Sequence, residues 1–548
     1  MVSAAPIARA APWEKVPDFD QLFAENEGEA RANSRTRQWK QDSTRGSPVL
    51  TLAVVFVPLN ACKLPLSLFL CRVLSATPMH LPSIAQRLID EFLATRSLTS
   101  HLVLLPTTRS ASKSRETVRV LRAYATAAAQ NPAPVLRSRA GGPAAYRWQD
   151  TVARIHILSP TLDLCDLRGL YAFADTLCRG TVSNPEGLEG EYLVDVRIPR
   201  LDSVVYNAAY GGWEGVNWGG AIKSFFVKGL LETATYPDFK KALPTCILNE
   251  QSSYSYPEKP LLGEVFTACT FGHYCLTHKL RPLLSRRPDS VLAPGRVIWS
   301  SSIEAHRNTF ALDDVQCFTR PAAYESAKRL TDILSLTSTL PHVQPHARAV
   351  LGSSASASTT TCPRRARSAP SDSETTDVDD NASTTTATLV GPKMYLSHPG
   401  IVASTLFPLP AFLFWLYEFA LVLCRWWGSP WHTETGYRGA YAPVWLTMQE
   451  QPTLDELAAE RIKWGSAYDR AGLSFVKPTE VEGWGWTGAV DADMAEDDMT
   501  GSMNKRCGRR HGAADATAED VAEFEALGAE CWREMERMRH QWEEILEL

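Results

Sequence analysis

The sequence predicts an α/β fold, a doubly wound parallel sheet carrying a disordered insert and a C-terminal extension. Three observations lead there. Between residues 84 and 340, short apolar runs alternate with stretches of helical period, the pattern of strand–helix–strand units. A Ser/Thr-rich stretch then interrupts the chain before apolar runs resume at residue 390. One run, GRVIW, ends in Ser300, Ser301 and Ser302, which places hydroxyls at a strand's C-terminal end, where open α/β sheets hold ligands.

HLVLLP (101–106), RIHIL (154–158), LDSVVYNAA (201–209) and GRVIWSS (295–301) read as strands. IAQRLIDEFLATR (84–96) and ESAKRLTDILSLT (325–337) read as helices. In the second, Leu330, Ile333, Leu334 and Thr337 recur at helical spacing, so Arg329 and Asp332 are expected to face elsewhere. Residues 49–74 are strongly apolar but contain Lys63, Pro58 and Pro65. Each proline lacks a helix N–H and clashes with the preceding turn, which argues against one continuous membrane helix.

Residues 351–389 hold almost no large apolar side chain and are expected to be disordered, because they cannot bury enough surface to offset ordering entropy. From Ala411 to Cys424 the run is apolar except for Glu418, about 14 residues against the ~20 a spanning helix needs. With Arg425, Trp415, Trp426 and Trp427 it suits an apolar lid that touches a water–lipid interface. A charged tail follows, with a surface helix expected at 517–546. The chain therefore divides into an atypical N-terminal segment (1–83), a core (84–350 and 390–487) broken by the insert (351–389), and the tail (488–548).

The 548 residues carry 56 Lys+Arg against 61 Asp+Glu, a net charge of −5 that argues against a nucleic-acid binder. Twelve cysteines without a C-x-x-C pair read as reduced thiols. No secretory signal is expected. No metal site is expected either: Pro341 and Pro345 interrupt the helix that would put His342 and His346 on one face. His273 and His278 read as packed or hydrogen-bonded, and Trp213 and Trp218 as structural or lining a cleft.

Tyr324 and Lys328 carry the chemistry. Four residues apart on a helix, they lie on one face. A phenol is a poor acid at neutral pH, and a nearby ammonium lowers its pKa and suits it to proton transfer. With the upstream serines they compose a carbonyl-reduction site. Ser301 or Ser302 would hold the carbonyl oxygen, Tyr324 would give the proton, and Lys328 would tune Tyr324 and hold a cofactor ribose. After HLVLLP, Arg109, Lys113 and Arg115 offer positive charge with no carboxylate among them, which favours NADPH over NADH.

These segments, with RLIDEFLATRSLTSHLVLLPTTRSASKS, LDLCDL, YNAAYGGWEGVNW, FGHYCLTHKLRPLL, HPGIVASTLFP and GSPWHTETGYRGAYAPVW, resemble the short-chain dehydrogenase/reductase family over about residues 84–487. Within it they resemble the fungal branch that reduces 3-keto sterols during ergosterol synthesis. The resemblance implies a Rossmann-like fold, NADPH, a sterol substrate, and association with other sterol enzymes at the cytosolic face of the endoplasmic reticulum membrane or a lipid droplet. It assigns Ser301 or Ser302, Tyr324 and Lys328 to catalysis. It assigns Asp163 to the adenine, Asn207 to the ribose, and Val402 and Thr405 to the nicotinamide end.

The chain departs from that pattern at the N-terminus. No glycine occurs from Ser47 to Ala140, whereas the family places a glycine-rich loop before the helix at 84–96. PWEKVPDFDQLF (12–23) looks like the family's extreme N-terminus, so the first strand and its loop are expected to be replaced by residues 49–82. Ala209 stands for a family glycine, and Cys269 for an asparagine that organises a proton-relay water. The alternative to a reductase is a degenerate, cofactor-free scaffold at a membrane.

Overall fold

The computed structural model describes residues 51–56, 83–188, 193–242, 260–352, 389–404, 409, 413–490, 506–510 and 512–548. The segment 12–23 and nearly all of the expected insert, 351–389, lie outside them.

Side chains of successive strand residues point to opposite faces, and here both faces are covered. Eight strands form one sheet: β1 (Thr51–Phe56), β2 (Leu102–Leu104), β3 (Ile155–Ile157), β4 (Ser203–Tyr206), β7 (Arg296–Ser300), β8 (Lys393–His398), β9 (Lys463–Tyr468) and β10 (Ser474–Thr479). Their order is β10-β9-β8-β7-β4-β1-β2-β3, parallel except for β10 against β9. β5 (Trp213–Val216) and β6 (Lys240–Ala242) pair separately as an antiparallel ribbon.

Leu102, Leu104, Val205, Ile298 and Tyr395 pack on one side under α1 (Ser83–Thr95), α2 (Ala111–Gln130) and α9 (Tyr441–Met448). Val103, Val204, Val297, Trp299 and Leu396 pack on the other. There they meet α3 (Leu167–Arg179), α5 (Gly272–Leu284), α6 (Ala323–Thr337), α7 (Gln344–Leu351) and α10 (Ala518–Leu546). This is the expected doubly wound sheet.

The segment expected to replace the first strand supplies one. TLAVVF pairs parallel with β2 (Ala53↔Leu104) and with β4 (Phe56↔Tyr206). The longer apolar run around it hid the strand's end. Its connection to α1, residues 57–82, lies outside the described residues.

The expected surface helix is part of the core. α10 starts on a capping box, in which Thr517 Oγ1 accepts from Asp520 N at 3.2 Å while the Asp520 carboxylate accepts from Thr517 N at 3.1 Å. Phe524, Trp532, Met535 and Trp542 are buried, and burial is worth ~1.5–3 kcal/mol for a large apolar side chain. Gly528 lets the helix approach α6, since a Cβ there would stand 2.5 Å from Thr337. Trp532 Nε1 donates to Leu334 O at 3.1 Å.

With the sheet on one side and α10 on the other, α6 is buried on every face, so Arg329 and Asp332 do not face solvent. Arg329 Nη2 donates to Glu482 O at 2.6 Å, and Asp332 meets Lys463 from β9.

Candidate active site

β7 ends beside the start of α6, and that junction makes the site. Lys328 Nζ donates to Ser300 O at 2.6 Å. Of the three serines, Ser302 is the one whose side chain acts on Tyr324, drawing its pKa down. Ser302 Oγ also accepts from Glu304 N at 3.2 Å, which fixes the turn after the strand. Ser301 points the other way: its hydroxyl donates to Asp332, buried beneath α6. Of the two candidate serines, Ser302 is the one turned to Tyr324, while Ser301 gives its hydroxyl to the interior.

Lys328 lies 5.7 Å from the Tyr324 ring centroid. The expected lowering of the phenol pKa is not what the surroundings produce. Burial pushes Tyr324 upward, and Cys269, Glu304 and Glu325 add to it, while the Ser302 side chain works against it. Burial also lowers Lys328. A neutral, buried phenol is a proton donor rather than a base, which is the form a reduction uses.

Residues far away in sequence complete the wall around Tyr324. Trp213 of β5 packs edge-on against its ring, centroids 4.9 Å apart. Lys240 of β6 sits 4.0 Å above the Trp213 ring and bridges Glu304 at 2.9 Å and Glu325 at 2.5 Å. Coulomb attraction from both carboxylates raises Lys240 against the opposing effect of its burial. Burial also raises Glu304. The ion triad pins the β5–β6 ribbon to the catalytic loop and helix. Sequence reasoning missed Lys240, Glu304 and Glu325, because no local spacing links them. Trp218 is away from this wall and 48% exposed.

Cys269 lies in a π-helical turn, Thr267–Phe271, just before α5. Its sulfur accepts from Tyr210 N at 3.4 Å, and with Val265, Tyr324 and Ala327 it forms a small apolar cluster against which Ala209 packs. His273 Nδ1 lies 3.1 Å from Cys269 O, a packed and hydrogen-bonded histidine as expected. Trp218 starts α4 (Trp218–Thr235), which packs against α8 (Phe414–Trp426), the expected lid.

The cofactor positions fall along the C-terminal edge of the sheet. Arg109 follows β2, and Asp163 follows β3. A bridge between Thr108 and Thr161 joins their loops. Arg109 lies at the N-terminus of α2, whose cap is Ser110 accepting from Lys113 N. Burial and then the Arg109 charge lower Lys113, so the two cations crowd one helix start, an arrangement an anion relieves. Arg115 turns to Glu186 O at 3.4 Å instead.

Asp163 accepts from Cys165 N at 2.9 Å through one carboxylate oxygen. Asn207 is half-buried directly after β4. Val402 bridges Glu434, and Thr405 lies outside the described residues. Arg109, Asp163, Asn207 and Val402 thus stand after β2, β3, β4 and β8, at the strand ends where open α/β sheets bind a dinucleotide. A lysine ammonium has three donors, so the Lys328 bond to Ser300 O leaves room for a ribose hydroxyl. The pyrophosphate would meet the glycine-free connection 57–82, outside the described residues. Among the described residues no group of His, Cys, Asp or Glu could hold a metal ion.

A doubly wound sheet with serine, tyrosine and lysine converging at the end of a central strand defines a short-chain dehydrogenase/reductase, a class of nicotinamide-dependent oxidoreductases. No family model matches the chain. It is 56% identical over 466 residues to the 3-keto-steroid reductase of Gibberella zeae, covering 85% of this chain and 92% of that one. It is 35% identical over 473 residues to that of Aspergillus fumigatus, with the same coverage, and 26% identical over 297 residues to that of Saccharomyces cerevisiae, covering 54% and 67%. The chain belongs to the fungal 3-keto-steroid reductase family. A short-chain dehydrogenase from Streptomyces avermitilis overlays 67% of this chain and 74% of its own at 13% identity and a TM-score of 0.25. The fold assignment rests on the sheet topology instead.

Proposed function

We propose that the chain reduces a 3-keto sterol to the 3β-hydroxysterol in ergosterol biosynthesis, with NADPH as reductant. The observation that carries this is the convergence of Lys328 and Tyr324 on the serine-ended strand, with Lys328 Nζ donating to Ser300 O at 2.6 Å and lying 5.7 Å from the Tyr324 ring centroid. Bound NADPH would supply a hydride to the carbonyl carbon. Ser302 would hold the carbonyl oxygen, and Tyr324 would give that oxygen its proton as the C=O π bond breaks. Lys328 would hold the ribose and balance charge on the resulting phenolate. Arg109 and Lys113 support NADPH over NADH. The scaffold alternative is not favoured, since relatives named as reductases match most of the chain. The test is turnover of a 3-keto sterol with NADPH by the purified full chain, read as loss of nicotinamide absorbance and appearance of the 3β-alcohol. No turnover would overturn the proposal.

We propose further that the enzyme works at the cytosolic face of the endoplasmic reticulum membrane or on lipid droplets, beside other sterol enzymes. Among the described residues no helix is long and apolar enough to cross a membrane. α4 and α8 nonetheless pack together with exposed apolar side chains, among them Phe225, Phe226, Val227, Trp415, Phe419 and Trp427. Such a surface suits shallow insertion next to a sterol-bearing leaflet. Phe226→Asp with Trp415→Asp should abolish co-sedimentation with lipid vesicles. Unchanged co-sedimentation would reject the surface.

A further inference from the structure

Three consecutive residues, 300–302, are each held from behind by a different buried group. Ser300 O accepts from Lys328 Nζ at 2.6 Å. The Ser301 hydroxyl donates to Asp332 Oδ1. Ser302 O accepts from Lys463 Nζ at 2.7 Å. Lys463 and Asp332 close the loop on each other, Nζ to Oδ2 at 2.7 Å. Their side chains are 4% and 0% exposed. They come from different elements, β9 and α6, 131 positions apart.

A buried ion pair is costly to form and seldom needed for stability alone, since apolar residues of the same volume usually serve as well. This pair spends its remaining hydrogen bonds on one short stretch of backbone and one hydroxyl. Both oxygens of Asp332 are engaged, one by Ser301 and one by Lys463, and Lys463 reaches past Asp332 to the carbonyl of the residue that faces Tyr324. The strand ends at Ser300, so residues 301 and 302 have left the β7 ladder. Ser301 N donates to Ser397 O at 2.7 Å and Glu304 N to Ser302 Oγ at 3.2 Å, but the carbonyl of Ser302 is held by Lys463. Displacements of about 1 Å in a catalytic group cost rate out of proportion to their size.

We propose that Lys463 and Asp332 are positioning residues for ketone reduction, a clamp that sets Ser302 against Tyr324. The proposal rests on the reductase reading above and extends it to β9. The clamp acts through Ser302, whose carbonyl Lys463 holds.

The test uses the full chain with Asp332→Asn and Lys463→Met together, because removing one partner alone strands a buried charge. The first readout needs no turnover. Amide hydrogen exchange in the peptide 296–305 should quicken about ten-fold, with peptides of α1 and α2 unchanged. Unchanged exchange at 296–305 overturns the clamp. The second readout is epistasis. With Ser302 present, kcat should fall roughly ten-fold at little changed KM, and in a Ser302→Ala background the same pair should cost less than about two-fold. Equal losses in both backgrounds would mean general destabilisation and would also overturn it. If the paired variant does not fold, Lys463→Arg, which keeps the charge but moves the donor, is scored by the same two measurements. Absence of wild-type turnover would refute the reductase reading, while hydrogen exchange would still decide the clamp.

Discussion

Ser301 gives its hydroxyl to buried Asp332, whereas the side chain of Ser302, one residue farther from the strand, acts on Tyr324. Adjacent serines at one strand end thus have unlike surroundings, one facing the cleft and the other facing the interior. Replacing each should separate chemistry from stability. Ser302→Ala should lower kcat on the order of 10²-fold with little change in the urea midpoint. Ser301→Ala should cost about 1–3 kcal/mol of stability, because it leaves an oxygen of buried Asp332 without its donor. The reverse pattern would exchange their roles.

Tyr324→Phe should abolish reduction, by ~10²–10⁴-fold, with the fold intact. The ring already packs against Trp213 and the Cys269 cluster, and phenylalanine keeps those contacts. Circular dichroism and thermal melting should match the wild type, and appreciable turnover in the variant would remove Tyr324 as the proton donor.

Arg109→Glu should weaken NADPH by roughly ten-fold or more and leave NADH nearly unaffected, because a carboxylate would face the 2′-phosphate. Calorimetric titration with each cofactor reads the difference. Equal losses would place Arg109 away from that phosphate.

β1 and α1 stand where a phosphate loop would join them, but their connection carries no glycine. Joining Phe56 to Ser83 through a short glycine-rich turn should tighten NADPH binding, by about ten-fold or more, since backbone free of Cβ atoms can approach the pyrophosphate. Tight binding by the unaltered chain, with no gain from the graft, would show that residues 57–82 form a different cradle.

Stability should fall as pH drops below about 6.5. Burial holds His156, His273 and His432 down to about 3 and His398 well below its ordinary value, so each stays neutral when folded. Unfolded, each takes up a proton below about 6.5, which favours the unfolded chain. The stabilising contribution is complete above that pH and is lost as pH falls toward the folded values. Glu264, Glu304 and Glu460, raised by burial, act in the opposite sense above their ordinary 4.5. His432→Gln, which can still bond Ser429, should flatten the pH dependence between about 6.5 and 5 by ~1.4 kcal/mol per pH unit. Urea titrations at several pH values would show it, and an unchanged slope would remove His432 from the account.

β2, β3, β4 and β7 were legible because each is a short apolar run bounded by polar turns, whereas β9 (KWGSAY) and β10 (SFVKPT) mix polar and apolar residues and were not read as strands. β1 was not, because TLAVVF lies inside a longer apolar run whose prolines and lysine drew the reading toward an interrupted membrane-like segment. Tyr324 and Lys328 were legible through their spacing on one helix. The burial of Arg329 and Asp332 was not legible because helical periodicity assumes one buried face: Arg329 lies over Phe524 of α10, and Asp332 meets Lys463 of β9, both distant in sequence. Lys240 and Lys463 left no local trace, since each meets its partners through tertiary contacts alone. The choice between Ser301 and Ser302 needed the partners on either side of the turn.

The packing of α10 over α6 sets an order of events during synthesis. Roughly 180 residues separate the two helices, which at 5–20 residues per second is on the order of 10–40 s of translation. Through that interval Leu334 and Thr337 face no partner, and the catalytic helix waits half-dressed beside the nascent sheet. A chain released before Trp532 has docked would expose that strip to aggregation and quality control. Ribosome stalling within 518–546 should therefore yield nascent chains that bind chaperones and resist no protease, whereas release past Leu546 should seal the enzyme in one late step.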